Sequence, residues 1–262
     1  MMLDPSRSVG VSAPGWFKFL RNPLVWLIAV LLLWLFLTPE IGPVYRWAFP
    51  ETTPPIYQGD SLATLFLWHA LVVIAASAAA ITAGVGIGLY VTHEAGRDFR
   101  AIAQIGATIG QTFPPVAILA IAVPAMGYGF GPTFLALALY GVLPILANTV
   151  AGIEAVSPAV REAARGMGLS PGQILRQVEL PLALPVILAG VRVSVIINIG
   201  TAALGATVGA TTLGAPIIDG LVVDKLGYVV QGGVAVALMA IVTDLGFERL
   251  ERRMTRHQSI SA

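Results

Sequence analysis

The sequence predicts an all-α, polytopic membrane protein with about six transmembrane helices. Apolar residues make up 56% of the chain and mean hydropathy is +0.83. Charged residues make up 11%, against about 25% in an ordinary soluble domain. From Ala101 to Ile153 there is no charged side chain at all. The 15 Lys and Arg and 14 Asp and Glu lie in short islands, too sparse to clothe a water-soluble globule of 262 residues.

A helix needs about 20 apolar residues to cross about 30 Å of hydrocarbon. The first stretch, Asn22 to Pro39, follows basic residues as a secretory signal does. It carries Trp26, Trp34 and Phe36, however, and no small-residue cleavage pattern precedes Glu40, so it reads as a retained helix. Residues 1–21 then form an N-terminal cytoplasmic segment. The second stretch is Ser61 to His93. The third, Ala101 to Ile153, is too long for one crossing, and Pro124 with the Gly127–Pro132 run divides it into two helices. Leu182 to Ala210 makes the fifth span and Leu226 to Phe247 the sixth, leaving 248–262 as a C-terminal cytoplasmic tail. The membrane-spanning body is 22–247, with one large polar loop at 154–181.

Orientation follows from Lys and Arg. With the N-terminus inside, 12 of the 15 fall in inner segments, Arg46 and Lys225 fall outside, and Arg192 lies within a span. Both termini are expected in the cytoplasm.

Several chemistries are disfavoured. A net charge of +1 gives no bulk attraction to nucleic acid, and the absence of Cys removes disulfides, thiolate metal sites and a Cys nucleophile. His69, His93 and His257 have no metal-binding spacing, and His69 and His93 read as a buried and an interfacial histidine. Gly168-Leu169-Ser170-Pro171-Gly172 matches a nucleophile elbow in letters only, because no strand precedes it. Lys18 and Lys225 follow Phe17 and Asp224, so there is no P-loop, and energy from ATP must come from a partner. No catalytic, cofactor-binding or metal site is expected. An intramembrane protease or a self-sufficient secondary transporter would need motifs or several buried ionisable groups; within spans only Arg192 and Asp244 qualify.

Arg192 and Asp244 lie at similar depth from the inner surface, about 10 Å and about 6 Å along their helices. They can pair with each other or snorkel separately to the headgroups. Glycine pairs at i, i+4 (Gly84/Gly88, Gly106/Gly110, Gly205/Gly209) favour close helix packing. Pro114, Pro115, Pro144 and Pro185 can bend their helices. Trp68, Phe113, Tyr128, Phe130 and Tyr140 could line a cation–π path, although interfacial aromatics are the ordinary reading.

The loop from Glu154 to Pro181 has its own design. Ser157-Pro158 supplies an N-cap and a first-turn proline. Val160, Ala163, Ala164 and Met167 then share a face, with Arg161, Glu162 and Arg165 turned away. Gly168 suits a left-handed helix end, and Ser170 with Gln173 forms a capping-box pattern that opens a second short helix. Leu180-Pro181 closes the unit. A capped helix–turn–helix at the membrane surface is a rigid docking element.

Glu162-Ala163-Ala164, Gly168 and Val178-Glu179-Leu180-Pro181 resemble the EAA loop of binding-protein-dependent ABC importer permeases, with Val178 where the family usually has Ile. The likeness runs from about Leu20 to Phe247. Gln111-Thr112-Phe113-Pro114-Pro115, Tyr140-Gly141-Val142-Leu143-Pro144, Ala189-Gly190-Val191-Arg192 and Ile199-Gly200-Thr201-Ala202 are similar to the osmoprotectant subclass, and most of all to its glycine betaine permeases. The resemblance implies a type I (MetI-like) helical bundle in the bacterial cytoplasmic membrane. It implies two ABC ATPase subunits, a second permease subunit that is identical or homologous, and a periplasmic or lipid-anchored solute-binding protein. It also implies that Glu162, Ala163, Ala164, Gly168, Leu180 and Pro181 form the ATPase-coupling loop, with Ala163 and Ala164 facing the ATPase. Another small solute carried by the same family is the alternative.

Overall fold

A computed structural model describes residues 22–258. The N-terminal segment 1–21 and the last residues of the tail lie outside the described residues. Helix α1, Pro23–Leu37, starts where the Asn22 side chain accepts the Leu24 N–H and proline occupies the first turn. It does not end at Pro39: a 3₁₀ turn, Thr38–Ile41, leads into α2, Gly42–Ala48, so the first span covers Pro23–Ala48. Helix α3, Leu62–Thr92, is capped by Ser61, whose Oγ accepts the Thr64 N–H at 3.1 Å.

The charge-free stretch holds three helices where two were expected. Helix α4, Arg100–Thr112, and α5, Pro115–Met126, meet at a 93° bend at Phe113-Pro114. Two consecutive prolines remove two backbone donors and clash with the preceding turn, so the helix cannot run through. Pro124 is carried inside α5, and the second break falls at Gly127 and Gly129, with φ of +77° and +101°. Helix α6, Phe130–Glu154, then returns across the bundle. Beyond it come α7, Pro158–Gly166, α8, Pro171–Ile174, and α9, Leu180–Ala202. The chain closes with α10, Ala215–Val222, and α11, Leu226–Gln258. Because α11 is continuous through Phe247, the tail assigned to 248–262 is helical to Gln258. Among the described residues, five helices are long and apolar enough to cross a membrane, and the number is six where the bent α4–α5 pair counts as one span.

Helix α6 is the centre. It packs along α3 on one side and α9 on the other, while α11 packs on α9 and α10 and α1 packs on α11 and α3. Leu65, Val72, Leu137, Ile199, Leu213 and Ala235 form the main core between them. Trp26, Leu33, Phe36, Leu67 and Ile74 point outward, the arrangement of a bundle whose solvent is hydrocarbon.

The three glycine pairs fare differently. A Cβ on Gly84 would lie 2.8 Å from Ile145 Cβ and one on Gly88 2.6 Å from Thr149 Cγ2, so this pair sets the close approach of α3 to α6. Gly205 abuts Thr133, whereas Gly209 turns the backbone at φ +76°. Gly106 and Gly110 line an apolar groove of about 700 Å³ between α4, α5 and α6. Gly88→Leu should therefore wedge α3 from α6 and cost about 1–3 kcal/mol by overpacking, while Gly106→Leu should be near neutral for the subunit alone. Thermal unfolding in detergent checks this: equal midpoints for the two variants would contradict the packing.

Candidate functional site

The polar loop folds as two short helices joined by a fixed turn. Helix α7 ends with the two bonds of a Schellman motif: the Gly168 N–H donates to Arg165 O at 2.9 Å and the Leu169 N–H to Ala164 O at 3.2 Å. The motif needs a left-handed residue after the cap, and Gly168 supplies it at φ +82°. Helix α8 opens with the Ser170 N–H donating to Gln173 Oε1 at 2.8 Å. At the other end, Pro158 takes its first-turn place, but the Ser157 side chain makes no capping bond; its carbonyl receives the Val160 and Arg161 N–H groups instead.

Two expectations for the loop are overturned. Leu180-Pro181 does not end it. Residues Leu175–Glu179 form a π-helical turn in which the Leu180 N–H reaches Leu175 O, and α8 passes through it into α9 without a break. The wider turn absorbs Pro181, which has no N–H to give and whose ring would crowd an α-helical carbonyl. The apolar face of α7 also divides. Ala164 is 1% exposed, buried within the subunit, so it does not face outward as expected. Val160, Ala163 and Met167 remain on the surface beside exposed Glu162.

Arg161 was expected to turn away and instead fastens the loop. Its Nε donates to Glu179 Oε1 at 2.6 Å and its Nη2 to Ile153 O at 2.6 Å. One guanidinium thus ties the end of α6, the start of α7 and the π turn. Arg100 pairs with Glu154, fixing the start of α4 to the same corner. Together with His93, Glu94, Arg97 and Arg165 these groups surround a polar cavity of about 620 Å³ on this face of the bundle. His93 Nδ1 itself accepts the Ala95 N–H at 3.3 Å and caps the 3₁₀ turn Glu94–Phe99.

A second ionic cluster lies higher on α9. Arg192 Nε is 2.6 Å from Asp244 Oδ1, and Arg192 Nη1 is 3.1 Å from Glu251 Oε2, joining α9 to α11. The depth match pointed to Asp244; Glu251, two helical turns further on the same face of α11, adds a second carboxylate. Arg249 bonds the Asn22 side chain, so α1 is tied in as well. At the opposite end, buried His69 accepts the Leu213 N–H on Nδ1 at 3.2 Å, which leaves Nε2–H to donate to Ile199 O at 3.0 Å. It is a satisfied core histidine joining α3 to α9 and to the segment before α10. Gln231, also fully buried, accepts the Tyr57 N–H and donates to Pro55 O, strapping the loop before α3 onto α11.

The comparisons with known proteins agree with this architecture. Residues 81–256 match the family model described as binding-protein-dependent transport system inner membrane component. Osmoprotectant import permease protein OsmY of Salmonella typhimurium is 36% identical over 189 residues, 72% of this chain and 80% of its own length. Carnitine transport permease protein OpuCD of Listeria monocytogenes is 40% identical over 190 residues, 72% of this chain and 82% of its own. Choline transport system permease protein OpuBB of Bacillus subtilis is 44% identical over 145 residues, 55% and 67%. Among solved structures, an inward-facing crystal form of the MetNI methionine ABC transporter superposes with a TM-score of 0.64 at 21% identity, covering 72% of this chain and 93% of that one. The helical bundle with its fastened polar loop, and a family match over two thirds of the sequence, make this chain a multi-pass inner-membrane permease of the binding-protein-dependent transport family.

Proposed function

We propose that the chain is one half of the pore of an ATP-driven importer for quaternary-ammonium osmoprotectants such as glycine betaine, choline or carnitine. ATP is hydrolysed on two separate ABC subunits, a second permease subunit, identical or homologous, completes the pore, and a periplasmic or lipid-anchored binding protein delivers the solute. Loop 154–181 is the coupling element: α7, with Ala163, Val160 and Met167 outward, seats in a cleft of the ATPase. Both termini lie in the cytoplasm, with 22–247 as the transmembrane body.

The observation that carries this reading is the mechanical continuity of the loop with the bundle. Arg161 locks α7 to Glu179, and the helix from Pro171 continues to Ala202 at the bundle core. A push on α7 is therefore delivered as a rigid-body displacement of α9, past Arg192 and its carboxylates. A plain connector needs no such fastening. The substrate class rests on the names of the relatives, three of which carry osmoprotectants, carnitine or choline by their description.

Purification in mild detergent from native membranes should bring an ABC ATPase with the chain, and solute-loaded binding protein should stimulate hydrolysis in reconstituted vesicles. A chain that transports alone, with no ATPase attached, contradicts the proposal. The orientation has its own check in this Cys-free sequence. Cysteines placed at Tyr57 or Val223 should react with an impermeant maleimide in intact cells. Cysteines at Asp98 or Gly172 should react only after permeabilisation, and external labelling at Gly172 would invert the topology.

A further inference from the structure

At the end of the bundle opposite the coupling loop, Trp68 of α3 and Phe130 at the start of α6 line one cavity of about 150 Å³. The rest of its lining is Val72 with Gly209, Ala210, Thr211 and Thr212 of the segment that links α9 to α10. No charged side chain lines it. We propose that this cavity is a quaternary-ammonium subsite on the transport path, holding the methylated cation between the two aromatic rings. The inference rests on the osmoprotectant reading above and adds to it a place in the permease where the cation is held.

Three observations converge here. Aromatic rings present a negative face to a cation, and a methylated ammonium, which cannot donate hydrogen bonds, is recognised mainly by such faces. An uncharged, largely apolar lining strips water from a soft cation at modest cost and offers no carboxylate that would hold it too tightly to release. The wall is also built to stay in place. His69, the residue next to Trp68, is fully buried and bonds both Leu213 N–H and Ile199 O, so the segment opposite Trp68 is anchored to the same turn of α3. Gly209, at φ +76°, closes the 3₁₀ turn Ala203–Val208, with the Gly209 and Ala210 N–H groups bonded back to Ala206 O and Gly205 O. The Gly129 N–H donates to Val208 O at 2.7 Å, which fixes Phe130 to that turn. The backbone at Gly129 and the segment up to Leu213 are thereby tied to one another and to α3. Trp68 is 48% and Phe130 44% exposed, so neither ring is sealed into the core of the subunit.

The test uses the full importer in cells and the full-length permease in lipid nanodiscs. Choline is compared with 3,3-dimethylbutan-1-ol, its neutral isostere, so that charge alone differs. In nanodiscs, millimolar choline should change tryptophan emission of the wild-type chain, the neutral isostere should not, and Trp68→Phe should remove the change. In cells, maximal choline uptake should fall in the order wild type, Trp68→Phe, Trp68→Leu, with the last lower by roughly 3- to 30-fold. Phe130→Leu should behave like Trp68→Leu, at unchanged permease abundance and with ATPase still co-purifying. Equal responses to choline and its neutral isostere, or undiminished choline uptake by Trp68→Leu in an importer that carries choline, would overturn the subsite and leave the importer reading standing. A wild-type importer that carries no quaternary ammonium at all would remove the substrate reading and the subsite together.

Discussion

Gly168→Val should uncouple the importer while leaving the permease in the membrane. At φ +82° a β-branched residue carries strain of order 1–3 kcal/mol. Relief of that strain breaks the two bonds to Arg165 O and Ala164 O that set the angle between α7 and α8. The added side chain itself meets nothing, since no atom lies within 4 Å of a Cβ built there, so the effect is conformational and not a clash. Insertion depends on the hydrophobic spans and should be near normal. Stimulation of ATP hydrolysis by loaded binding protein should fall at least tenfold, and uptake with it. Ser170→Ala removes at most one cap, worth about 1 kcal/mol, and should be much milder. Ala164→Glu should be as damaging as Gly168→Val, for a reason internal to the subunit: it forces a carboxylate into a site that is 1% exposed. Full substrate-stimulated hydrolysis in Gly168→Val would make the loop a connector.

The second large effect belongs to Arg161. Its side chain is 26% exposed and that of Glu179 16%, so the pair is partly screened from water. Arg161→Ala strands the Glu179 carboxylate and the Ile153 carbonyl together, a loss of about 2–4 kcal/mol after allowance for residual solvent. That exceeds what a short surface helix gains from its own packing, so α7 should detach and coupling should fall as far as with Gly168→Val. Glu179→Ala should do the same, and the double variant less than the sum, because neither charge is then left alone. Arg161→Lys keeps the charge but cannot reach Glu179 and Ile153 at once through a planar fork, so it should rescue only in part. Protease sensitivity of the loop separates detachment from loss of the whole fold. Strictly additive effects of Arg161→Ala and Glu179→Ala would show that the two do not act through one another.

These two residues mark different kinds of legibility. Gly168 was readable because the signal is local: a short amphipathic helix, then glycine, then a capping box, all within a few residues. The membrane spans were readable for the same reason, since hydrocarbon reads a one-dimensional run of side chains. Arg161 is not legible in this way, because a helical wheel assigns faces by period alone. Its partner sits 18 residues away, beyond a turn whose angle brings the guanidinium back onto the bundle. The inward turn of Ala164 follows from that same angle.

Arg192 and Asp244 fall between these cases. Counting residues from the helix ends gives matching depths but leaves both pairing and separate snorkelling open. Depth is a coordinate along the axis, whereas pairing depends on rotation about it, and rotation is set by how α9 and α11 pack. That packing brought in Glu251 as well. The prolines divide similarly. Phe113-Pro114-Pro115 turned the chain through 93°, whereas Pro124, Pro144 and Pro185 stayed inside helices and Pro181 was absorbed by a π turn. Proline fixes a missing donor in every context; whether the helix breaks depends on neighbours that can take up the freed carbonyl.

By itself, the sequence determined that the chain is helical and membrane-spanning, about how many times it crosses, and that its long polar loop holds a short helix, a glycine turn and a capping box. Those properties are sums over neighbouring residues: hydropathy, period and caps. The tertiary structure alone decided which side of each helix meets which neighbour. From that came the Arg161 fastening, the continuous α8–α9 lever, the Arg192 cluster, and the cavity between Trp68 and Phe130. Each depends on a rotation or a crossing angle fixed by contacts between residues far apart in the chain, and no local pattern encodes an angle of that kind.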